Sequence, residues 1–196
     1  MLLVPGIRYN QCMNILDQLR FYDYHIYLFF HGAIHGRPYL NEFYLFFAKY
    51  GIIFFFLAFI YLIVRGRIYA FVCAFFSSAM ASLLDIFIGL IFKRPRPFVS
   101  HNAEVLTPII TGLRVDRLSF PSAHTYLAFA IATSIFLYGH RKLGILLYFL
   151  AILVAVGRMG AGLHYPSDVT AGALLGISTG IISFLAIEKY ERKHQD

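Results

Sequence analysis

Two uninterrupted apolar stretches decide the solvent this chain folds in. Phe43–Val64 carries one charged side chain, Lys49, and Ile68–Phe92 carries one, Asp85. About 20 predominantly apolar residues are enough to cross the hydrocarbon core of a bilayer as a helix. Each stretch ends in basic residues: Arg65 and Arg67 after the first, Lys93 and Arg94 after the second. Composition agrees, with 59% hydrophobic and 14% charged residues, against roughly 45–50% and about 25% in soluble domains. The 21 Phe and 14 Tyr exclude disorder, since disordered chains are poor in aromatics. The two cysteines, Cys12 and Cys73, have no metal-binding spacing and cannot make a disulfide scaffold.

Three further spans follow, from about His124 to Tyr138, at Leu143–Val156 and at Val169–Ile187, before the charged tail Glu188–Asp196. Upstream, Cys12, Ile15, Leu16, Leu19, Tyr22 and Ile26 recur at helical spacing. Asn10, Asn14, Asp17, Arg20 and Asp23 occupy the opposite positions. This pattern predicts an amphipathic helix within residues 1–40 that lies in the interface and turns into the membrane near Leu28–Phe30. Gly36 and Pro38 break it from the first full span. The expected fold is therefore all-α: one domain over 1–196, a polytopic membrane helix bundle of five transmembrane helices plus the interfacial helix. A sixth span is the alternative.

The net charge of +7 fits the Lys and Arg excess of cytoplasmic loops better than a nucleic-acid partner. With five alternating helices, Arg65, Arg67, Arg141, Lys142, Lys189, Arg192 and Lys193 share one side. That side is expected to be cytoplasmic, in the inner (plasma) membrane. The loop 93–122 and the segment 157–168 then face outward together. Gly172, Gly176 and Gly180 form a small-residue ridge, read as a helix-packing face. Gly157–Gly162 is no nucleotide loop, because no strand precedes it. His25, His31 and His35 are expected to pack or hydrogen-bond at the interface. Asp85, near Ser77, Ser78 and Ser82, is expected to make a structural hydrogen bond.

Three outward segments concentrate polar residues at span ends: 93–97 (KRPRP), 120–124 (FPSAH) and 157–168 (GRMGAGLHYPSD). Arginines with Lys93 suit an anion, because guanidinium matches phosphate oxygens bidentately. A Pro-Ser-Ala-His turn opening a helix aims N–H groups and the positive end of the dipole outward. His164 and Asp168 are four residues apart, so the carboxylate can take one ring N–H and leave the other nitrogen nucleophilic. Two histidines, an aspartate and several arginines, with no paired carboxylates, suggest phosphoryl transfer through a phosphohistidine. No metal or other cofactor is called for, since the arginines neutralise the phosphate.

The order Arg-Pro, Pro-Ser-x-His, Arg-x5-His-x3-Asp resembles the type 2 phosphatidic acid phosphatase (PAP2) superfamily, and the resemblance covers about residues 68–187, the expected catalytic core. It implies that His164 attacks phosphorus, Asp168 orients it, and His124 protonates the leaving oxygen. It implies that Arg96, Ser122 and Arg158 hold the phosphate, with the Ala123 N–H beside them. Three positions depart from the pattern. The usual Lys of the first motif is Gly89, with Lys93 a possible substitute one helical turn on. Ala123 and Gly157 replace the family's Gly and Ser. Short bacterial members with RPRPF and HYPSD segments look like undecaprenyl-diphosphate phosphatases, so the implied partner is a lipid phosphate or diphosphate. Phosphatidylglycerophosphate, phosphatidic acid and lipid A phosphatases, or a phosphotransferase, are alternatives within the class. A small anion transporter, with the arginines as a binding ring, is the alternative outside it. A vanadate-dependent haloperoxidase shares the constellation but is soluble, which five apolar spans oppose. The loop 98–120, with Glu104, Arg114, Asp116 and Arg117, is expected to cover the site. Oligomeric state is not legible in the sequence.

Overall fold

The structure is a computed structural model that describes residues 14–35, 37–100 and 118–193. Cys12, Glu104, Arg114, Asp116 and Arg117 lie outside the described residues, as does the side chain of His35. Seven helices follow one another: α1 Ile15–His35, α2 Pro38–Val64, α3 Ile68–Ile91, the single-turn α4 Pro97–Ser100, α5 Ala123–Leu137, α6 Arg141–Gly160 and α7 Pro166–Lys193. α2, α3, α6 and α7 are long and apolar enough to cross a membrane, and α5 is a shorter apolar helix. The result is the expected polytopic helix bundle, with adjusted ends. α2 begins at Pro38 rather than Phe43, since proline is suited to the first helical position. α6 runs on through Arg158 to Gly160 instead of stopping at Val156. α7 carries the charged tail as helix, where Arg192 pairs with Glu188 at 2.7 Å, one turn apart.

α5 is the centre of the bundle. Its Ala128, Ile131, Ala132 and Ile135 pack among Phe55 and Leu62 of α2, Ala74 of α3, and Leu147, Ala151 and Val154 of α6. At 15 residues it is about 22 Å long, short of the ~30 Å hydrocarbon thickness. Because protein rather than lipid surrounds it, its length need not match the bilayer.

The glycine ridge seats α7 against α5. A Cβ on Gly176 would stand 2.3 Å from the Tyr126 carbonyl oxygen and 2.8 Å from the Ala130 nitrogen. One on Gly172 would stand 2.8 Å from the Ser122 carbonyl oxygen. The two backbones therefore approach as closely as small residues permit. This fixes the start of α5 beside the start of α7.

α1 corrects one expectation. Ile15, Leu19, Tyr22 and Ile26 are exposed, and Asp23, assigned to the polar face, is buried with Tyr27 and Ile34 against the bundle. Partners remote in sequence turn Asp23 inward, as described below. Asp85 also differs: it makes no hydrogen bond among the described residues. Ser78 and Ser82 instead bond back to the carbonyls of Ala74 (2.7 Å) and Ser78 (2.8 Å), the usual outlet for serine hydroxyls in apolar helices. His25 bonds to the Phe21 carbonyl (2.8 Å) and His31 to the Gly160 carbonyl (2.9 Å).

Candidate active site

The three polar segments meet at one end of the bundle, where α3, α5, α6 and α7 start or finish. Local chain geometry explains the placement. α6 ends in a turn in which Gly162, at φ 72°, reverses the chain. The Gly162 N–H donates to the Met159 carbonyl and the Leu163 N–H to the Arg158 carbonyl. This left-handed C-terminal turn suits glycine and folds His164 back beside Arg158. α7 then opens with Pro166 at its first position. The Asp168 carboxylate accepts the Tyr165 N–H at 2.8 Å, half of a capping box. The helix start itself thus aims Asp168 at the histidine.

His164 is 2% exposed and held from both ring nitrogens. Nδ1 lies 2.8 Å from the Ser119 main-chain carbonyl, so it must be the donor. Nε2 faces Arg158 Nη2 at 3.3 Å and must therefore accept. The tautomer follows: the proton is on Nδ1 and the lone pair on Nε2. Burial pushes the His164 pKa down to about 4, and the nearby charges of Arg158 and Arg96 add to this against the opposing pull of Asp168. The ring is neutral at physiological pH.

Asp168 stands differently from the sequence expectation. Its Oδ2 is 3.8 Å from His164 Nδ1, beyond a hydrogen bond, and the Ser119 carbonyl takes the ring proton instead. Ser119 Oγ donates to Oδ2 at 2.5 Å, and Arg94 Nη1 donates to Oδ1 at 2.8 Å. Asp168 therefore holds Ser119 and the Tyr165 N–H, and through them the imidazole.

Arg96 and Arg158 are both 6% exposed and close enough to repel one another. Arg158 Nη1 donates to the Ala48 carbonyl of α2 at 3.2 Å, and its Nε has no hydrogen-bond partner among the described residues. Arg158, buried beside a neutral imidazole and with its Nε unpartnered among the described residues, suits an anion. Ser122 stands at the N-cap position of α5 without a side-chain cap hydrogen bond, and its N–H donates to the Asp168 main-chain carbonyl at 3.1 Å. Its hydroxyl accepts from Thr125 Oγ1 at 3.0 Å. The first-turn N–H groups of Ala123, His124 and Thr125 have no partner within their own helix. His124, half-buried on that turn, lies within electrostatic reach of Arg158, His164 and Arg96.

Lys93 is the exception. It is exposed and lines a groove against α1, together with Asp17, Arg20 and Phe92. Its neighbour Arg94 reaches the site. Phe92 ends α3 at φ −101°, ψ 84°, and in the irregular chain beyond it adjacent side chains diverge. Sequence reasoning also missed Ser119 and Asp23. Ser119 offered no signal. Asp23 offered one: it shares a helical stripe with Tyr27 and His31.

These features place the chain in a family. Residues 70–192 match the PAP2 superfamily, and the chain belongs to it. It is 37% identical over 119 residues to the bacitracin transport permease protein BcrC of Bacillus licheniformis, covering 59% of this chain and 55% of that protein. It is 28% identical over 165 residues to the undecaprenyl-diphosphatase BcrC of Bacillus subtilis (strain 168), covering 83% of this chain and 82% of that protein. Its fold resembles the crystal structure of Aquifex aeolicus LpxE, with TM-score 0.66 and 29% identity over 81% of this chain and 92% of that one. The match to the first of these relatives thus spans about half of that protein's length.

Proposed function

We propose that this protein is an integral membrane lipid phosphatase that hydrolyses undecaprenyl diphosphate to undecaprenyl phosphate and inorganic phosphate. The observation that carries the reading is the buried Arg158 set against the unprotonated Nε2 of His164, with the buried Arg96 within electrostatic reach of the same ring. The similarity to a protein named undecaprenyl-diphosphatase supports the choice of lipid.

In this reading the terminal phosphate enters between Arg96 and Arg158, with Ser122 and the N–H groups of Ala123 and His124 on its other oxygens. It displaces the Arg158 N–H from Nε2. Nε2 attacks phosphorus in line, the bond to the bridging oxygen breaks, and His124 protonates that oxygen as the lipid monophosphate leaves. Nδ1 keeps its proton and goes on donating it to the Ser119 carbonyl, which stabilises the positive ring. Water, deprotonated by His124, then cleaves the N–P bond and releases phosphate. The arginines neutralise the phosphoryl oxygens throughout. The site faces the extracytoplasmic side.

The test is phosphate release by the pure protein in detergent, with EDTA present. Substrates are undecaprenyl diphosphate, phosphatidylglycerophosphate, phosphatidic acid and lipid A, and His164→Ala is the control. Undecaprenyl diphosphate should be turned over fastest. A faster rate on another lipid would reassign the substrate within the class. Transfer of the phosphate to an added lipid acceptor in place of release would make the protein a phosphotransferase. No turnover of any lipid, with anion uptake into vesicles, would favour the transporter reading that the permease name of one relative suggests.

A further inference from the structure

The face that α1 turns to the bundle carries Asp23, Tyr27 and His31, four residues apart, and each touches the segment 160–168. His31 Nδ1 donates to the Gly160 carbonyl at 2.9 Å. Tyr27, fully buried, sets its ring edge-on to Tyr165 with centroids 5.7 Å apart. The Asp23 carboxylate accepts three hydrogen bonds: the Ser167 N–H at 2.8 Å, the Ser167 hydroxyl at 2.6 Å and Arg94 Nη2 at 2.5 Å.

Arg94 is the link to the chemistry. While Nη2 is held by Asp23, Nη1 donates to Asp168 Oδ1 at 2.8 Å and to Ser167 Oγ at 2.6 Å. The guanidinium lies over the Tyr165 ring, 3.9 Å from its centroid. One cation thus sits between two carboxylates, one on α1 and one at the start of α7. Paired only with Asp168, Arg94 would be an additional cation free to swing toward a bound phosphate. Asp23 neutralises it and commits its fork to Asp168. Arg158, by contrast, has no carboxylate partner among the described residues and is left for the anion. The matched family region covers residues 70–192, so Arg94, Ser167 and Asp168 lie inside it and Asp23 reaches them from outside it.

We propose that Asp23 is a positioning residue for turnover. It fixes Arg94 against Asp168 and thereby sets the Ser119–His164 geometry, so that α1 acts as a brace of the catalytic turn. The proposal rests on the phosphatase reading above.

The experiment measures phosphate release from farnesyl diphosphate in detergent. The proteins are wild type, Asp23→Asn, Arg94→Gln, the double variant and His164→Ala. Asp23→Asn should lower kcat by about 10- to 100-fold, the range for partners that orient a reacting group from behind. Its KM should be unchanged or lower, since Arg94 keeps its charge. The double variant should be no slower than Arg94→Gln alone, because Asp23 acts through Arg94. Losses that multiply, a raised KM at unchanged kcat, or Asp23→Asn within about twofold of wild type would overturn the proposal. If Asp23→Asn does not fold, Ser167→Ala replaces it. That variant removes the hydroxyl shared by Asp23 and Arg94, and the same split with a smaller kcat loss is expected. Wild type without turnover of farnesyl diphosphate or of any of the four lipids tested above would defeat the phosphatase reading instead. The brace is then decided by hydrogen exchange: the amides of Tyr165, Ser167 and Asp168 should exchange at least ~10-fold faster in Asp23→Asn, and unchanged exchange would overturn it.

Discussion

Arg158 Nη2 stands 3.3 Å from Nε2 of His164, so a cation occupies the direction from which an electrophile must reach the lone pair. Such a contact costs the nucleophile nothing in charge and keeps it unprotonated. A phosphate that binds the guanidinium arrives at the nitrogen by the same movement. Replacing Arg158 with Lys keeps the charge and loses the planar fork. We expect kcat/KM to fall about 10²- to 10³-fold, the range for removing a transition-state oxyanion donor, with vanadate inhibition weakened in parallel. Unimpaired vanadate inhibition in the variant would remove Arg158 from the phosphate site.

His164→Ala should lose at least ~10³-fold in kcat, as for nucleophiles of catalytic triads. Acid-quenched wild-type enzyme given phosphorus-labelled substrate should carry acid-labile label on one histidine, and the variant should carry none. Label retained in the variant would assign the covalent step elsewhere.

The depressed pKa of His164 makes a thermodynamic prediction. The free side chain titrates near ~6.5, and the folded one at about 4. Between these values the unfolded chain binds a proton that the native state refuses, so stability must fall as pH is lowered through this window. Above it the contribution is constant. Wild-type Tm in detergent should therefore drop more between pH 7 and pH 4.5 than that of His164→Gln, which has nothing to titrate there. Equal drops would mean that the folded and unfolded imidazoles titrate alike and that burial does not depress the His164 pKa.

Gly176→Ala should destabilise without touching the chemistry directly. Its Cβ would stand 2.3 Å from the Tyr126 carbonyl oxygen, a backbone atom that can yield only if α5 and α7 separate. Overpacking of this kind costs about 1–3 kcal/mol, visible as a lower Tm. Separation of the helices should also lower kcat, because Ser122 and Asp168 ride on the two sides of this seam. An unchanged Tm would show that the helices are not so tightly apposed.

Orientation can be read by labelling. In a Cys12→Ser/Cys73→Ser background, Val99→Cys near the site and Tyr190→Cys at the far end of α7 are both exposed positions. In intact cells an impermeant maleimide should modify the first and spare the second. The opposite pattern would place the site on the cytoplasmic leaflet.

Much of this molecule was legible in its residues, and the parts that were not share a physical cause. The spans were visible because a bilayer demands long apolar runs, and the chain has little freedom in how it supplies them. Arg96, Ser122, Arg158, His164 and Asp168 were visible through motif order and all lie at one end of the bundle. Asp23 was misplaced because periodicity sorts residues by polarity and cannot see that Arg94, far along the chain, would meet it. Lys93, expected as a phosphate ligand in place of the lysine missing at Gly89, is exposed, and Arg94 had no expected role; both follow the last turn of α3, where no repeat dictates which neighbour points inward. Ser119 acts through its main-chain carbonyl as well as its hydroxyl, and a carbonyl has no sequence signature. The helix ends were misjudged where polar residues remained helical: Arg158 at the close of α6, Glu188–Lys193 at the close of α7.

The glycine seam has a consequence for how this sequence can drift. The atoms nearest to a Cβ on Gly172 or Gly176 are the main-chain oxygens of Ser122 and Tyr126, so trimming an opposing side chain would not make the room a larger residue needs. Glycine cannot itself be made smaller. Substitution there is a ratchet without a return partner, and along a lineage these two positions should stay still while the lipid-facing residues of the same helix, such as Leu174 and Ile182, turn over freely.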